Sequence, residues 1–160
     1  MKRFLLILSV LAFSGSLFAQ QETVEMRFKR SDNHIFGFKW FQEATSSIYQ
    51  EDGWISIRNL NRNRVSITPS LLIKYAGKGY VITPDMELIR NYDRLESFDM
   101  TVNSKEFTIT LWEYEQNTNI LTAQIRFFDG DFSYEAQICS KMDDIPTYVK
   151  LFINSVNFTK

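Results

Sequence analysis

His34 and Cys139 are the only imidazole and the only thiol in 160 residues, so any Cys–His nucleophile must be this pair. Such a dyad needs the imidazole within hydrogen-bond reach of the sulfur. Cys139 falls on the strand face opposite Tyr134 and Ile138, while His34 follows Ser31-Asp32-Asn33 in a loop. The pattern therefore predicts a solvated His and an inert, partly buried Cys. A structural zinc site fails for want of ligands. Carboxylates are more plentiful, as Glu113 with Glu115, Asp129 with Asp131, and Asp143 with Asp144. Asp129-Gly130-Asp131 is too short for a helix-loop-helix calcium site and suits a hairpin turn, where at most a surface cation would settle. Gly77-Lys78-Gly79 lacks the strand-to-helix setting of a phosphate loop, and no Gly-x-Ser-x-Gly elbow occurs. The expectation is a non-enzymatic chain with no catalytic residue, no metal and no cofactor.

Binding chemistry has two candidate locations. Arg58, Arg62 and Arg64 alternate with Asn59, Asn61 and Asn63. Guanidinium forks in such a turn suit phosphate or carboxylate groups on a partner, against the plainer reading of a solvated polar turn. Trp112 and Tyr114 share a strand face with Thr108 and Thr110, opposite Phe107, Ile109 and Leu111. Aromatics on both faces mean that the second face is covered, by a helix over 83–97, or is a binding surface. If open, Trp112, Tyr114 and Phe128 would line a cleft for an apolar or sugar-like ligand.

The amino terminus sets the address. Met1-Lys2-Arg3, an apolar run from Phe4 to Phe13, and Ala19 before Gln20 make the three parts of a secretory signal. Ser14-Gly15-Ser16 interrupts the run, which is too short for a membrane span. The reading is a signal over 1–19, one domain over 20–160 with no span after cleavage, and a secreted or periplasmic, bacterial-envelope location. The net charge is −1, and losing Lys2 and Arg3 makes it more negative, which excludes a nucleic-acid partner that needs a basic face.

The elements that must position these residues follow from alternation. Val24, Met26 and Phe28 alternate with Glu25, Arg27 and Lys29 as a strand with one wet face, and Ile35 to Phe41 forms a second. Trp54 to Leu60 and Val65 to Thr68 read as strands, and Leu71 to Tyr75 with Tyr80 to Thr83 as a hairpin about Ala76-Gly77-Lys78-Gly79. Thr83-Pro84 starts a short helix whose Leu88, Ile89, Tyr92 and Leu95 share a face. Three alternating runs, from Phe107, Leu121 and Phe132, make an antiparallel meander with turns over 116–119 and at Asp129-Gly130. Asp143 and Asp144 supply a cap, Pro146 sits in the first helical turn, and Ile145, Tyr148, Val149, Phe152, Ile153 and Val156 form one apolar stripe. The fold class is α+β: an antiparallel sheet with a C-terminal amphipathic helix packed on one face and a shorter helix elsewhere.

Phe132-Ser133-Tyr134-Glu135-Ala136, Pro146-Thr147-Tyr148 and the run from Phe152 to Phe158 resemble the close of the PsbP-like fold, and Tyr49 to Trp54 is similar to its early strand. The resemblance implies a central antiparallel sheet with flanking helices and a non-catalytic, extrinsic protein or assembly factor on a membrane complex. Together these readings give a protein that binds a protein partner at the cell envelope. The alternative is a carrier of a small apolar ligand held between sheet and helix, for which the 14 Phe would line the space.

Overall fold

The computed structural model describes residues 22–30, 32–42, 47–51, 53–58, 69–77, 82 and 86–159. The signal over 1–19, the strand over 65–68, and Arg62 and Arg64 lie outside them. Among the described residues, β1 (Thr23–Lys29), β2 (Ile35–Phe41) and β10 (Asn157–Thr159) form a small antiparallel sheet in the order β1-β2-β10. The large sheet comprises β3 (Ser47–Glu51), β4 (Trp54–Arg58), β5 (Ser70–Ala76), β6 (Tyr92–Val102), β7 (Lys105–Tyr114), β8 (Asn117–Asp129) and β9 (Phe132–Lys141). Its order is β3-β4-β5-β9-β8-β7-β6, antiparallel throughout. The helices are α1 (Met86–Asn91) and α2 (Ile145–Ser155). Strand dominates, and the C-terminal helix packs on a sheet as its stripe requires.

Each ladder follows from side-chain alternation. Phe107, Ile109 and Leu111 stand opposite Phe127, Ile125 and Ala123, which in turn meet Tyr134, Ala136 and Ile138. All nine side chains are buried. The β8–β9 turn places Gly130 at φ 57°, a left-handed conformation that glycine adopts at no steric cost. The β6–β7 turn has Asn103 and Ser104 both at positive φ, the backbone of a hairpin whose twist matches its strands.

The inner face of the large sheet is covered side by side by α2 and the small sheet. Val149, Phe152 and Ile153 of α2 are buried, and Phe36, Phe38 and Trp40 of β2 complete the layer. Rings interlock across it: Phe127 stacks on Tyr134 at 4.9 Å, Phe36 meets Tyr134 at 5.0 Å, and Phe38 meets Phe152 at 5.2 Å. Such pairs add stability beyond the area they bury.

Three expectations need correction. The helix over 83–97 stops at Asn91, because Tyr92 begins an eleven-residue strand that bonds to β7. Backbone pairing along a sheet edge outweighs the weak helical spacing of four apolar residues. The hairpin expected from Leu71 to Tyr75 is corrected at β5, whose two sides pair with β4 and β9; residues 80, 81 and 83 lie outside the described residues. Asp144 occupies the N-cap position of α2 in helical geometry and makes no side-chain cap bond. Its carbonyl instead accepts from the Thr147 and Tyr148 amides at 3.0 and 3.2 Å.

Strand β10 returns the chain to the small sheet and depends on one close approach. Asn157 pairs with Gly37, and a Cβ at Gly37 would stand 2.6 Å from Asn157 Oδ1. That carboxamide is held by its bond to the Ser155 carbonyl at 3.0 Å. Gly37→Ala should therefore lower unfolding free energy in urea by about 1–3 kcal/mol. Adding Asn157→Ala should recover much of the loss. An unchanged urea midpoint for the single variant would show that β10 yields freely.

Candidate functional site

Two polar centres stand on opposite sides of the large sheet. The first was not anticipated from the sequence. Arg30 follows β1 and its side chain is only 4% exposed. It spends four donors: Nε and Nη2 grip Asp32 at 3.0 and 2.6 Å, and Nη1 donates to Asp129 Oδ2 at 2.6 Å and to Tyr134 Oη at 2.7 Å. The guanidinium carbon lies 4.1 Å from the Phe132 ring centroid and 5.8 Å from that of Phe158. A planar fork between two carboxylates and aromatic faces is a setting that suits Arg and not Lys.

The electrostatics follow from this packing. Burial opposes the charge on Arg30, but the bonds to Asp32, Tyr134 and Asp129 outweigh it and hold its pKa above the ordinary value. The same bond to Arg30 holds the Asp32 carboxyl down at about 2. Burial pushes the Tyr134 hydroxyl up to about 12, against the pull of Arg30. His34 Nδ1 lies 2.8 Å from Asp32 Oδ2 but is not aligned as a hydrogen bond. Asp129 is thus a partner of a buried cation, which argues against the surface cation considered at Asp129 and Asp131. Among the described residues no group of three or more His, Cys, Asp or Glu is placed to hold a metal.

The second centre is the outer face of the large sheet, where Trp112 and Tyr114 sit. Both are half-buried. Trp112 Nε1 donates to Gln124 Oε1 at 3.1 Å, and Gln124 and Thr122 beneath are buried. Tyr114 meets Tyr92 at 5.0 Å between ring centroids. Cys139 stands opposite Thr122 and bonds with Thr122 and Tyr92. Burial pushes its thiol pKa up, so the sulfur stays protonated and is a poor nucleophile. Further along the face Glu135 is 1% exposed and accepts from Arg126 Nε and Gln137 Nε2, each at 3.0 Å.

The part of the expected covering helix over Tyr92 to Ser97 is a strand of the same sheet, and Ile89 of α1 is exposed. Nor does Phe128 join Trp112 and Tyr114. Trp112 stands opposite Thr122, and Phe128 lies six residues further along β8, about 20 Å away at strand rise. Phe128 is 71% exposed beside the β8–β9 turn. The backbone of Arg58 closes β4 opposite Ser47.

A sequence signal for Arg30 does exist. Met26 and Phe28 are the buried positions of β1, and Arg30 continues the same alternation onto the inner side. A charge at an inward position demands partners, and Asp32 two residues on is the first.

Arg30→Met should cost about 3 kcal/mol, because it leaves two carboxylates facing an aromatic core edge, and Asp129→Asn on that background should recover part. The depressed Asp32 carboxyl contributes stability that is present above its unfolded pKa of about 4 and is lost as pH falls toward 2. Urea unfolding of Asp32→Asn should accordingly differ from the native chain at neutral pH and converge with it between pH 4 and 2. A constant difference down to pH 2 would contradict the pairing.

No known family's sequence profile matches the chain, and no curated protein matches it in sequence. In chain path it is similar to the solution structure of cyanobacterial PsbP (CyanoP) from Synechocystis sp. PCC 6803, with 8% sequence identity and a TM-score of 0.49. The likeness covers 89% of this chain and 95% of that one.

Proposed function

We propose that this is a non-catalytic protein of the bacterial envelope that works by binding a protein partner through the outer face around Trp112 and Tyr114. The observation that carries this reading is how the aromatic residues divide between the two sides of the sheet. On the inner side Phe36, Phe38, Phe127, Tyr134 and Phe152 meet one another at ring separations between 4.9 and 6.1 Å. They fill the layer where an apolar ligand would sit, which supports a protein partner over the carrier reading. On the outer side Trp112, Tyr114 and Tyr92 present half-buried rings over a buried polar floor of Thr122 and Gln124. Rings with one polar edge anchored and one face toward solvent are the residues that dominate protein contacts.

The basic residues Arg58, which ends β4, Arg62 and Arg64 are proposed as a second contact, with carboxylate or phosphate groups as their counterpart. The signal over 1–19 supports the envelope location. No helix among the described residues is long and apolar enough to cross a membrane.

Trp112→Ala, in the mature chain used as bait against envelope extract of its own host, should lower capture of the specific partner at least tenfold. Its thermal unfolding should stay cooperative. Tyr114→Ala provides an independent variant, since Tyr114 contributes a ring contact to Tyr92 but no bond to the buried floor that Trp112 holds. Capture unchanged in both variants would sink the assignment of this face.

A further inference from the structure

Among the described residues β6 is the longest strand with a free edge: it ends the large sheet, with β7 on one side and no strand on the other. A free edge is a template for another strand, and proteins block it with charges and bulges. Here the block covers half the strand. The bulge at Arg94/Glu96 and the charges of Asp93, Arg94 and Glu96 lie in its first half. From Ser97 to Val102 the ladder to β7 is regular and carries one charge, Asp99. Phe98, Met100 and Val102 of this half are only partly buried and pack against the rim of the core. The apolar layer is unsealed there.

We propose that this half-edge pairs with the same segment of a second copy, antiparallel about a two-fold axis at Met100. Charge selects the register. An axis at Asp99 would set two carboxylates directly opposite each other, and an axis at Phe98 would set Glu96 against Met100. At Met100, Asp99 faces Thr101 of the second copy, and the alternation puts both on the outer face. Phe98 then faces the second copy's Val102, and the two apolar rims become one. Because the bulged half cannot continue the pairing, the contact closes at two copies and does not grow into a fibre. A contact of this length is small, so the dimer is reversible.

Light scattering on a size-exclusion column, over a concentration series of the mature chain, reads the dimer directly. Thr101 is exposed, so charges are tolerated there in the monomer. Thr101→Asp should weaken dimerisation roughly tenfold by opposing Asp99 twice, and Thr101→Lys should strengthen it by a similar factor. Met100→Cys with Cys139→Ser should form a covalent dimer under oxidised glutathione, because directly opposed residues lie within disulfide reach. A chain that stays monomeric at millimolar concentration overturns the proposal. So does a dimer whose affinity ignores both charges at position 101.

Discussion

A single buried guanidinium holds the architecture together. Arg30 leaves the end of β1 and meets Asp32 in the β1–β2 turn, Asp129 at the end of β8 and Tyr134 in β9. One side chain thus ties the small sheet to the central hairpin of the large one. A charge in this position is costly unless nearly all its donors are used, and here four are. The requirement fixes the geometry of both turns at once. It also explains why aromatic rings gather there: Phe132 and Phe158 give the cation a face on which to rest, and Tyr134 gives it an oxygen.

From that anchor the aromatic core runs along β2 toward α2. Phe36 packs on Tyr134, Phe38 on Phe152 and Trp40 on Tyr148, so successive inward residues of one strand engage the hairpin first and the helix next. With this side of the sheet occupied, the surface we propose for recognition is the other. There Trp112, Gln124 and the Tyr92–Tyr114 pair form a partly dry, polar-anchored surface. The same surface takes up the thiol of Cys139 as a group bonded to Thr122 and Tyr92, its pKa raised by burial.

Period-two alternation made most of the fold legible in the sequence. The meander of β7, β8 and β9 and the stripe of α2 carry strong local patterns, and local pattern and tertiary packing agree there. Strand β6 was not legible, because Leu88, Ile89, Tyr92 and Leu95 also fit a helix and a bulge at Arg94/Glu96 disturbs the alternation. The union of β1, β2 and β10 as a separate sheet depends on Gly37 admitting Asn157, a contact made across 120 residues that no local window contains. Of the candidate site, the shared face of Trp112 and Tyr114 followed from strand parity. The distance to Phe128 did not, because parity gives the face of a residue and not its place along the strand. Arg30 was visible only as a charge in an inward position, and its partner Asp129 is remote in sequence.

Native mass spectrometry of the mature chain, purified gently from its own host, tests the central claim most directly. Binding through an outer face over a filled core predicts the chain mass accompanied by a second polypeptide, and loss of that polypeptide when the outer face is altered. A retained small apolar molecule, stoichiometric with the chain, would contradict it and show that the layer between sheet and helix opens to hold a ligand.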